Sequence, residues 1–224
     1  SRLFLTGKWS LFFAFGEGLS SSFFKFKAII PPKDRFFADP FIITENNKYY
    51  IFIEEFINRF NKGRISVILM DESGQYQDPV PIIDQPYHLS FPCVFKHQKD
   101  YFLIPESRSN NTIELYKCED FPVKWQFLTN LMEGVEAVDT VMFYYRNMWW
   151  LFTNIVENQG SSCLDELFLF YSEDLFSKKW IPHRNNPIVS DVRKARSAGN
   201  IFMHNGMIIR PSQDSSKRYG HGMR

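Results

Sequence analysis

Apolar and polar residues alternate along this chain in short paired runs, and the first clear pair begins at residue 35. The run Arg35-Phe-Phe-Ala-Asp-Pro-Phe-Ile-Ile-Thr44 is followed by a polar turn and by Lys48-Tyr-Tyr-Ile-Phe-Ile-Glu-Glu55. Two such runs around a short polar turn are typical of a β-hairpin. The pattern therefore predicts a hairpin with a carboxylate, Asp39, at its entrance.

Three later stretches repeat this hairpin. They begin at Phe91-Pro92-Cys-Val-Phe, Asp139-Thr140-Val-Met-Phe and Gly199-Asn200-Ile-Phe-Met. With Pro40, Pro92, Thr140 and Asn200 taken as equivalent, the spacings are 52, 48 and 60 residues. Repeats of about this length with four strands each indicate the blades of a β-propeller. No helical periodicity extends over a dozen residues, so we expect an all-β protein.

The repeat divides the chain into blades of one propeller domain spanning residues 1–224. We expect complete blades at 35–86, 87–136 and 137–191, a partial blade at 192–224, and strands of a closing blade within 1–34. This arrangement predicts a five-bladed propeller that is incomplete at its C-terminus, with a four-bladed ring as the alternative. Because an open ring exposes sheet edges, we expect further residues or a partner to complete it.

Charge and composition exclude several classes of protein. The 26 basic and 25 acidic residues are interspersed, so we expect no nucleic-acid partner. No run supplies the roughly 20 apolar residues of a membrane-spanning helix, so we expect no transmembrane segment. The sequence lacks a glycine-rich nucleotide loop and a GxSxG turn, and we expect no cofactor. Aromatic residues make up 17% of the chain, which favours β structure.

The cysteines and histidines do not have the spacing of a metal site. Cys93, Cys118 and Cys163 lie far apart without a CxxC motif, and their odd number does not indicate a disulfide framework. We interpret them as buried thiols of a reducing compartment and expect a cytoplasmic location. No two histidines have ligand spacing on one element, so we expect no metal.

Four acids, Asp39, Glu106, Asp139 and Asp214, fall at hairpin ends that would point into a common central funnel. Glycoside cleavage requires one carboxylic acid to protonate the leaving oxygen and one carboxylate to activate water or attack. Inner strands facing each other across a propeller could supply such a pair. Nearby arginines could neutralise these acids or hold an anionic group such as phosphate; they are Arg35, Arg108, Arg196 and Arg210.

Each candidate also has a structural interpretation. Asp39 could cap its own turn, and Asp139 could be a buried turn acid. Glu55 could simply pair with Arg64, and Arg210 with Asp214 across the fourth blade.

His88 could bind a sugar hydroxyl or be satisfied by loop backbone. Among the aromatic residues, we predict that Tyr87, Phe91 and Tyr219 are better placed for sugar stacking than the core pairs Tyr49-Tyr50 and Trp149-Trp150.

Seven motifs in order carry a resemblance to one family: Arg35-Phe-Phe-Ala-Asp-Pro-Phe, Pro86-Tyr-His-Leu-Ser-Phe-Pro92, Ile104-Pro-Glu-Ser, Trp149-Trp-Leu-Phe, Trp180-Ile-Pro-His-Arg-Asn-Asn-Pro-Ile188, Ala195-Arg-Ser-Ala-Gly199 and Arg210-Pro-Ser-Gln-Asp214. From about Arg35 onwards the chain resembles the five-bladed propeller domain at the N-terminus of plant glucosamine inositolphosphorylceramide transferases. That domain is similar to the propellers of glycoside hydrolase family 43.

The resemblance implies a carbohydrate-active domain with three carboxylates from successive blades. In family 43 an Asp in an Asp-Pro motif acts as base, a second Asp orients, and a Glu donates the proton. Here the order is Asp, Glu, Asp, with Asp39 as base, Glu106 as proton donor and Asp139 as orienting acid.

We expect the substrate to be bound by Arg35, Glu55, His88, Arg108, Arg196, Arg210 and Asp214. The alternative functions are a non-catalytic glycan-binding or scaffolding module with an attached glycosyltransferase domain, and a purely structural propeller.

Overall fold

The computed structural model describes residues 9–16, 23–158 and 162–224. The described residues form β-strands, with three-residue 3₁₀ turns at Phe23–Lys25, Asn58–Phe60 and Arg108–Asn110. The prediction of an all-β protein is therefore confirmed. None of the described helical turns is long or apolar enough to cross a membrane.

Three consecutive antiparallel sheets make up the centre of the chain, each with its strands paired in chain order. Sheet 1 contains β3 (Arg35–Glu45), β4 (Lys48–Ile57), β5 (Lys62–Asp71) and β6 (Val80–Ile83). Sheet 2 contains β7 (Ser90–His97), β8 (Asp100–Ser107), β9 (Thr112–Asp120) and β10 (Lys124–Glu133). Sheet 3 contains β11 (Ala137–Tyr145), β12 (Met148–Ile155), β13 (Glu166–Ser172) and β14 (Ile181–Pro182), and β15 (Val189–Ser190) also pairs with β13.

The remaining described strands form two-stranded sheets. They are β1 (Leu11–Phe13) with β2 (Lys27–Ile29), β16 (Phe202–His204) with β17 (Met207–Ile209), and β18 (Gln213–Asp214) with β19 (Gly222–Met223). The first strands of successive sheets contact each other, β3 with β7 and β7 with β11. First strands gathered in this way are typical of a propeller-like arrangement. The number of five blades stays a prediction.

The same irregularity occurs in the first strand of all three sheets. The pairing register shifts between Ala38 and Phe41, between Ser90 and Cys93, and between Val138 and Val141. At each shift one residue has a positive φ: 49° at Asp39, 42° at Phe91 and 49° at Asp139. A β-bulge bends its strand and redirects a side chain. The three bulges thus place Asp39, Phe91 and Asp139 in equivalent positions.

Turn residues explain why the hairpins are tight. Asn46 and Asn47 between β3 and β4 both have positive φ, as do Arg146 and Asn147 between β11 and β12. Two consecutive positive φ values are those of a type I′ turn, whose twist matches that of the flanking strands. Asparagine adopts this region more readily than most residues, which is how the sequence fixes these two hairpins.

The principal hydrophobic core lies between sheets 1, 2 and 3. Its largest fully buried side chains include Phe52, Phe91 and Phe102. Phe91 packs edge-on against Phe41 of sheet 1, with ring centroids 4.9 Å apart. A smaller core joins Leu11 of β1 and Ile29 of β2 to sheet 1. The sheets are therefore held face to face by apolar contacts, leaving their bulged ends to carry polar side chains.

Candidate functional site

The bulges of sheets 1 and 3 each carry an aspartate in the left-handed backbone region. Short polar side chains tolerate this region better than β-branched or bulky ones. Asp39 is half-buried, whereas Asp139 is 2% exposed. Phe91, at the same position of sheet 2, points into the core instead. Two of the three equivalent bulge positions therefore carry an acid.

A second equivalent position lies on the neighbouring strand, directly across from the bulge. Glu54 pairs with Ala38, Glu106 with Ser90, and Asn154 with Val138. Sequence reasoning chose Glu55 in this strand and missed Glu54. The repeat spacing of 52 residues, applied backwards from Glu106, leads to Glu54 and was the signal that could have found it.

These acids surround a cleft of about 750 Å³. Asp39, Glu54, Glu106, His88 and Arg196 all line it. Aromatic side chains line it as well: Trp9, Phe12, Phe36, Phe56 and Tyr219. The structure thus brings together Asp39, Glu106, His88 and Arg196 of the predicted site. Asp139 lies next to this group but beneath the surface.

Asp39 and Glu54 form a closely interacting pair. Burial is the main cause that raises the pKa of each, and for Glu54 the charges of Asp39 and Glu106 raise it further. The interaction between the two side chains lowers the pKa of Asp39 and raises that of Glu54. The backbone N–H of Phe91 also lowers the pKa of Asp39. Asp39 is therefore the easier of the two to ionise.

Glu106 is the third protonatable acid of the cleft. Burial, followed by the charge of Asp139, raises its pKa. Its Oε2 atom accepts the backbone N–H of Asp139 at 3.2 Å. Its side chain is only 12% exposed. Glu106 is therefore held in place and protonated more readily than a solvent-exposed glutamate.

Arg196 neutralises Asp139. Its Nε lies 2.5 Å from Asp139 Oδ2, and its Nη2 lies 3.3 Å from Oδ1. Gln213 Nε2 donates to the same Asp139 Oδ2 at 3.0 Å. The ring of Tyr219 covers the guanidinium at 5.1 Å, and Glu106 Oε2 is 3.9 Å from Nη2. Asp139 is thus a buried, fully paired carboxylate that anchors the C-terminal segment.

His88 is held by backbone, as one of its two predicted interpretations requires. Its Nδ1 accepts the N–H of Gly63 at 2.9 Å, which leaves the ring proton on Nε2 when the ring is neutral. Burial lowers its pKa, so the neutral form is favoured. Nε2 lies 3.7 Å from Glu54 Oε1. The close packing around Gly63 fixes this pair, since a Cβ there would lie 2.5 Å from the Leu89 carbonyl oxygen and 2.9 Å from Glu54 Oε1.

Two of the remaining predicted residues pair with each other, outside the cleft. Arg35 Nη1 donates to Glu55 Oε1 at 2.6 Å, and Glu55 Oε2 accepts from Arg64 at 2.9 Å and from Ser66 at 2.7 Å. The pairing of Glu55 with Arg64 is the structural interpretation considered for it. Roles for Arg35 and Glu55 in substrate binding stay predictions without support from the cleft.

Arg108, Arg210 and Asp214 also lie outside the cleft lining. Arg108 pairs with Glu136 at 2.9 Å on the surface. Arg210 donates to the backbone carbonyls of Lys194 and Ala195. Asp214 pairs with Arg224 at 2.9 Å rather than with Arg210. These three side chains hold the local backbone or the chain's last residues, and none faces the acids.

The predicted stacking residues also differ in their placement. Tyr87 donates its hydroxyl to Glu114 at 2.7 Å, and Phe91 is 2% exposed. Tyr219 alone combines a place in the cleft with a half-exposed ring, 51% exposed. Within the described ranges, no group of three His, Cys, Asp or Glu residues could hold a metal ion. Cys93, Cys118 and Cys163 are free thiols, the first two of them buried.

Comparison with known proteins agrees with this architecture. Residues 28–224 match the family described as glucosamine inositolphosphorylceramide transferase 1, N-terminal. The chain is 29% identical over 188 residues to glucosamine inositolphosphorylceramide transferase 1 of Oryza sativa subsp. japonica, covering 83% of this chain. It is 29% identical over 192 residues to the protein of that name in Arabidopsis thaliana, covering 84%. The chain spans about a quarter of the length of each of these relatives.

Solved structures with a similar fold include glycoside hydrolases. A family 117 glycoside hydrolase of the marine bacterium Zobellia galactanivorans superposes with a TM-score of 0.60 at 12% identity, over 83% of this chain and 68% of that one. The catalytic domain of the GH62 α-L-arabinofuranosidase of Coprinopsis cinerea gives 0.62 at 14% identity, over 81% and 61%. At these identities the likeness establishes the propeller-type fold.

Proposed function

Because the chain belongs to the family of N-terminal domains of glucosamine inositolphosphorylceramide transferase 1, we propose that it is the carbohydrate-binding domain of a larger, sugar-transferring protein. The relatives are about four times as long as this domain, which supports an attached catalytic domain elsewhere in the protein. We further propose that the fold is a five-bladed ring, in which the two-stranded sheets belong to the fourth and fifth blades.

The cleft is the observation on which the binding proposal rests. Asp39, Glu54 and Glu106 place carboxyl groups side by side where sugar hydroxyls could donate or accept hydrogen bonds. Tyr219 adds a half-exposed ring, and Phe36 and Phe56 add rings stacked at 4.6 Å. A few convergent polar groups among aromatic side chains are typical of small-ligand sites.

Glycoside cleavage is the second candidate function. The raised pKa of Glu106 is a property of a general acid, and Asp39 would act as the base. However, Asp39 interacts closely with the side chain of Glu54, and Arg196 neutralises Asp139. Neither aspartate is therefore free of a partner to activate a water molecule, so binding without cleavage is the function we favour.

A glycan array and an aryl-glycoside screen distinguish the two functions, with wild type beside Asp39→Asn. Asn keeps the size of Asp and tolerates the positive φ at this position. We expect wild type to bind glycans and to cleave none of the aryl glycosides, while Asp39→Asn binds more weakly. Turnover by wild type that the mutant loses would instead support cleavage. Absence of glycan binding by wild type would contradict both.

A further inference from the structure

We propose that the cleft selects its sugar by charge: it takes neutral and ammonium-bearing sugars and excludes those carrying carboxylate, phosphate or sulfate. This inference rests on the proposed function, because it concerns the ligand of the same cleft. It also reverses the expectation that the arginines of this chain hold an anionic group.

The arginine contacts provide the first step. Arg196 is the only lysine or arginine among the described residues that line the cleft. It already contacts Asp139 through Nε and Nη2, and Glu106 lies 3.9 Å from Nη2. Its side chain is 10% exposed, and the Tyr219 ring covers one face. An incoming anion would have to displace one of these partners.

The other predicted arginines are occupied away from the cleft. Arg35 pairs with Asp34 and Glu55, and Arg108 with Glu136. Arg210 donates to backbone carbonyls. His88 does line the cleft, but it accepts a backbone N–H and its neutral form is favoured. Among the described residues of this site, every positively charged side chain is therefore already paired and none is available to bind an anionic ligand.

The carboxyl groups provide the second step. Asp39, Glu54 and Glu106 line the cleft, and Asp139 lies directly behind Arg196. Four carboxyl groups thus face one guanidinium, with His88 and Tyr219 as the other titratable groups of the site. Burial, and after it the charges of neighbouring carboxylates, raises the pKa of Asp39, Glu54 and Glu106. A negative charge on a ligand would add to the repulsion among these carboxylates.

An ammonium group would have the opposite effect. An ammonium group among Asp39, Glu54 and Glu106 would favour the ionised forms of these acids, so that they release the protons they hold. Binding of an amino sugar should therefore release protons, whereas binding of a neutral sugar with the same ring should release few. Proton release gives the proposal a readout that affinity alone does not provide.

Calorimetry with matched sugars tests the proposal. The probes are the neutral, 2-amino and 6-carboxylate (uronic acid) forms of the gluco, galacto and manno series, each titrated into wild type at pH 7 in two buffers of different ionisation enthalpy. We expect the amino form to bind on the order of tenfold more tightly than the uronic acid, corresponding to about 1.4 kcal/mol. We also expect a buffer-dependent enthalpy for the amino form alone.

Two variants check where the selectivity originates. Glu106→Gln removes one cleft carboxyl at constant size and should reduce both the preference and the proton release. Glu72→Gln removes the same charge from an exposed turn and should change neither. Equal affinity for amino, neutral and uronic forms would overturn the charge selectivity while leaving the sugar site intact. Failure of every probe to bind would overturn the proposed function, and the selectivity with it.

Discussion

Replacing Glu54 by glutamine should stabilise the protein, increasingly so as the pH rises. Glu54 is 7% exposed, and burial together with Asp39 and Glu106 raises its pKa above neutral. An unfolded glutamate releases its proton near pH 4.3, whereas the folded protein keeps it. The stability that this proton supports is therefore fully present below that pH and is lost as the pH rises towards the folded pKa.

The expected size follows from the number of protons involved. One proton retained only in the folded state costs about 1.4 kcal/mol of unfolding free energy per pH unit. Between pH 5 and pH 7, Glu54 alone should therefore cost about 2–3 kcal/mol. Glutamine keeps the size of the side chain and can donate to Asp39, but it has no proton to retain.

Urea unfolding at pH 5, 6, 7 and 8 measures this effect. The unfolding free energy of wild type should fall more steeply with pH than that of Glu54→Gln. The difference between the two slopes should be about 1.4 kcal/mol per pH unit. Glu72→Gln, which changes an exposed turn residue, should follow wild type. Parallel curves for Glu54→Gln and wild type would refute the conclusion that Glu54 is protonated in the fold.

Two further predictions concern the packing beneath the cleft. Arg196→Gln leaves Asp139 buried without its partner and should lower the free energy of urea unfolding by about 3–5 kcal/mol. The double variant with Asp139→Asn should recover at least half of that loss. Additive effects of the two substitutions would count against a coupled pair. Gly63→Ala places a Cβ 2.5 Å from the Leu89 carbonyl oxygen and should cost about 1–3 kcal/mol. Gly16→Ala, with no atom within 4 Å of the new Cβ, should unfold within about 0.5 kcal/mol of wild type. Equal effects of the two alanine substitutions would show that the close packing around Gly63 does not contribute to stability.

The repeat was readable from the sequence because each blade reuses the same local pattern. Pro40, Pro92 and Thr140, aligned from the sequence, occupy equivalent positions in the structure, since each directly follows a bulge residue. Asp39 and Glu106 were found for the same reason. These features depend on residues close together in the chain, which alternation and turn chemistry report.

The partners of the charged side chains could not be read in the same way. Arg196 contacts Asp139 across 57 residues, and no local pattern states which acid an arginine will meet. Glu55 and Glu54 are adjacent, yet only Glu54 lines the cleft, because successive side chains of a strand point to opposite faces. A shift of one residue in the comparison therefore led to Glu55.

Nuclear magnetic resonance of the labelled domain, titrated with a sugar that binds it, tests directly whether the cleft is the binding site. We expect the largest amide shifts to cluster at the cleft, at Asp39, Glu54, His88, Glu106 and Tyr219, and we expect Glu106→Gln to weaken binding of the sugar. Amides near Glu72, on an exposed turn outside the cleft lining, should stay unchanged. Shifts centred on another part of the surface, with the cleft amides unmoved, would contradict binding in the cleft.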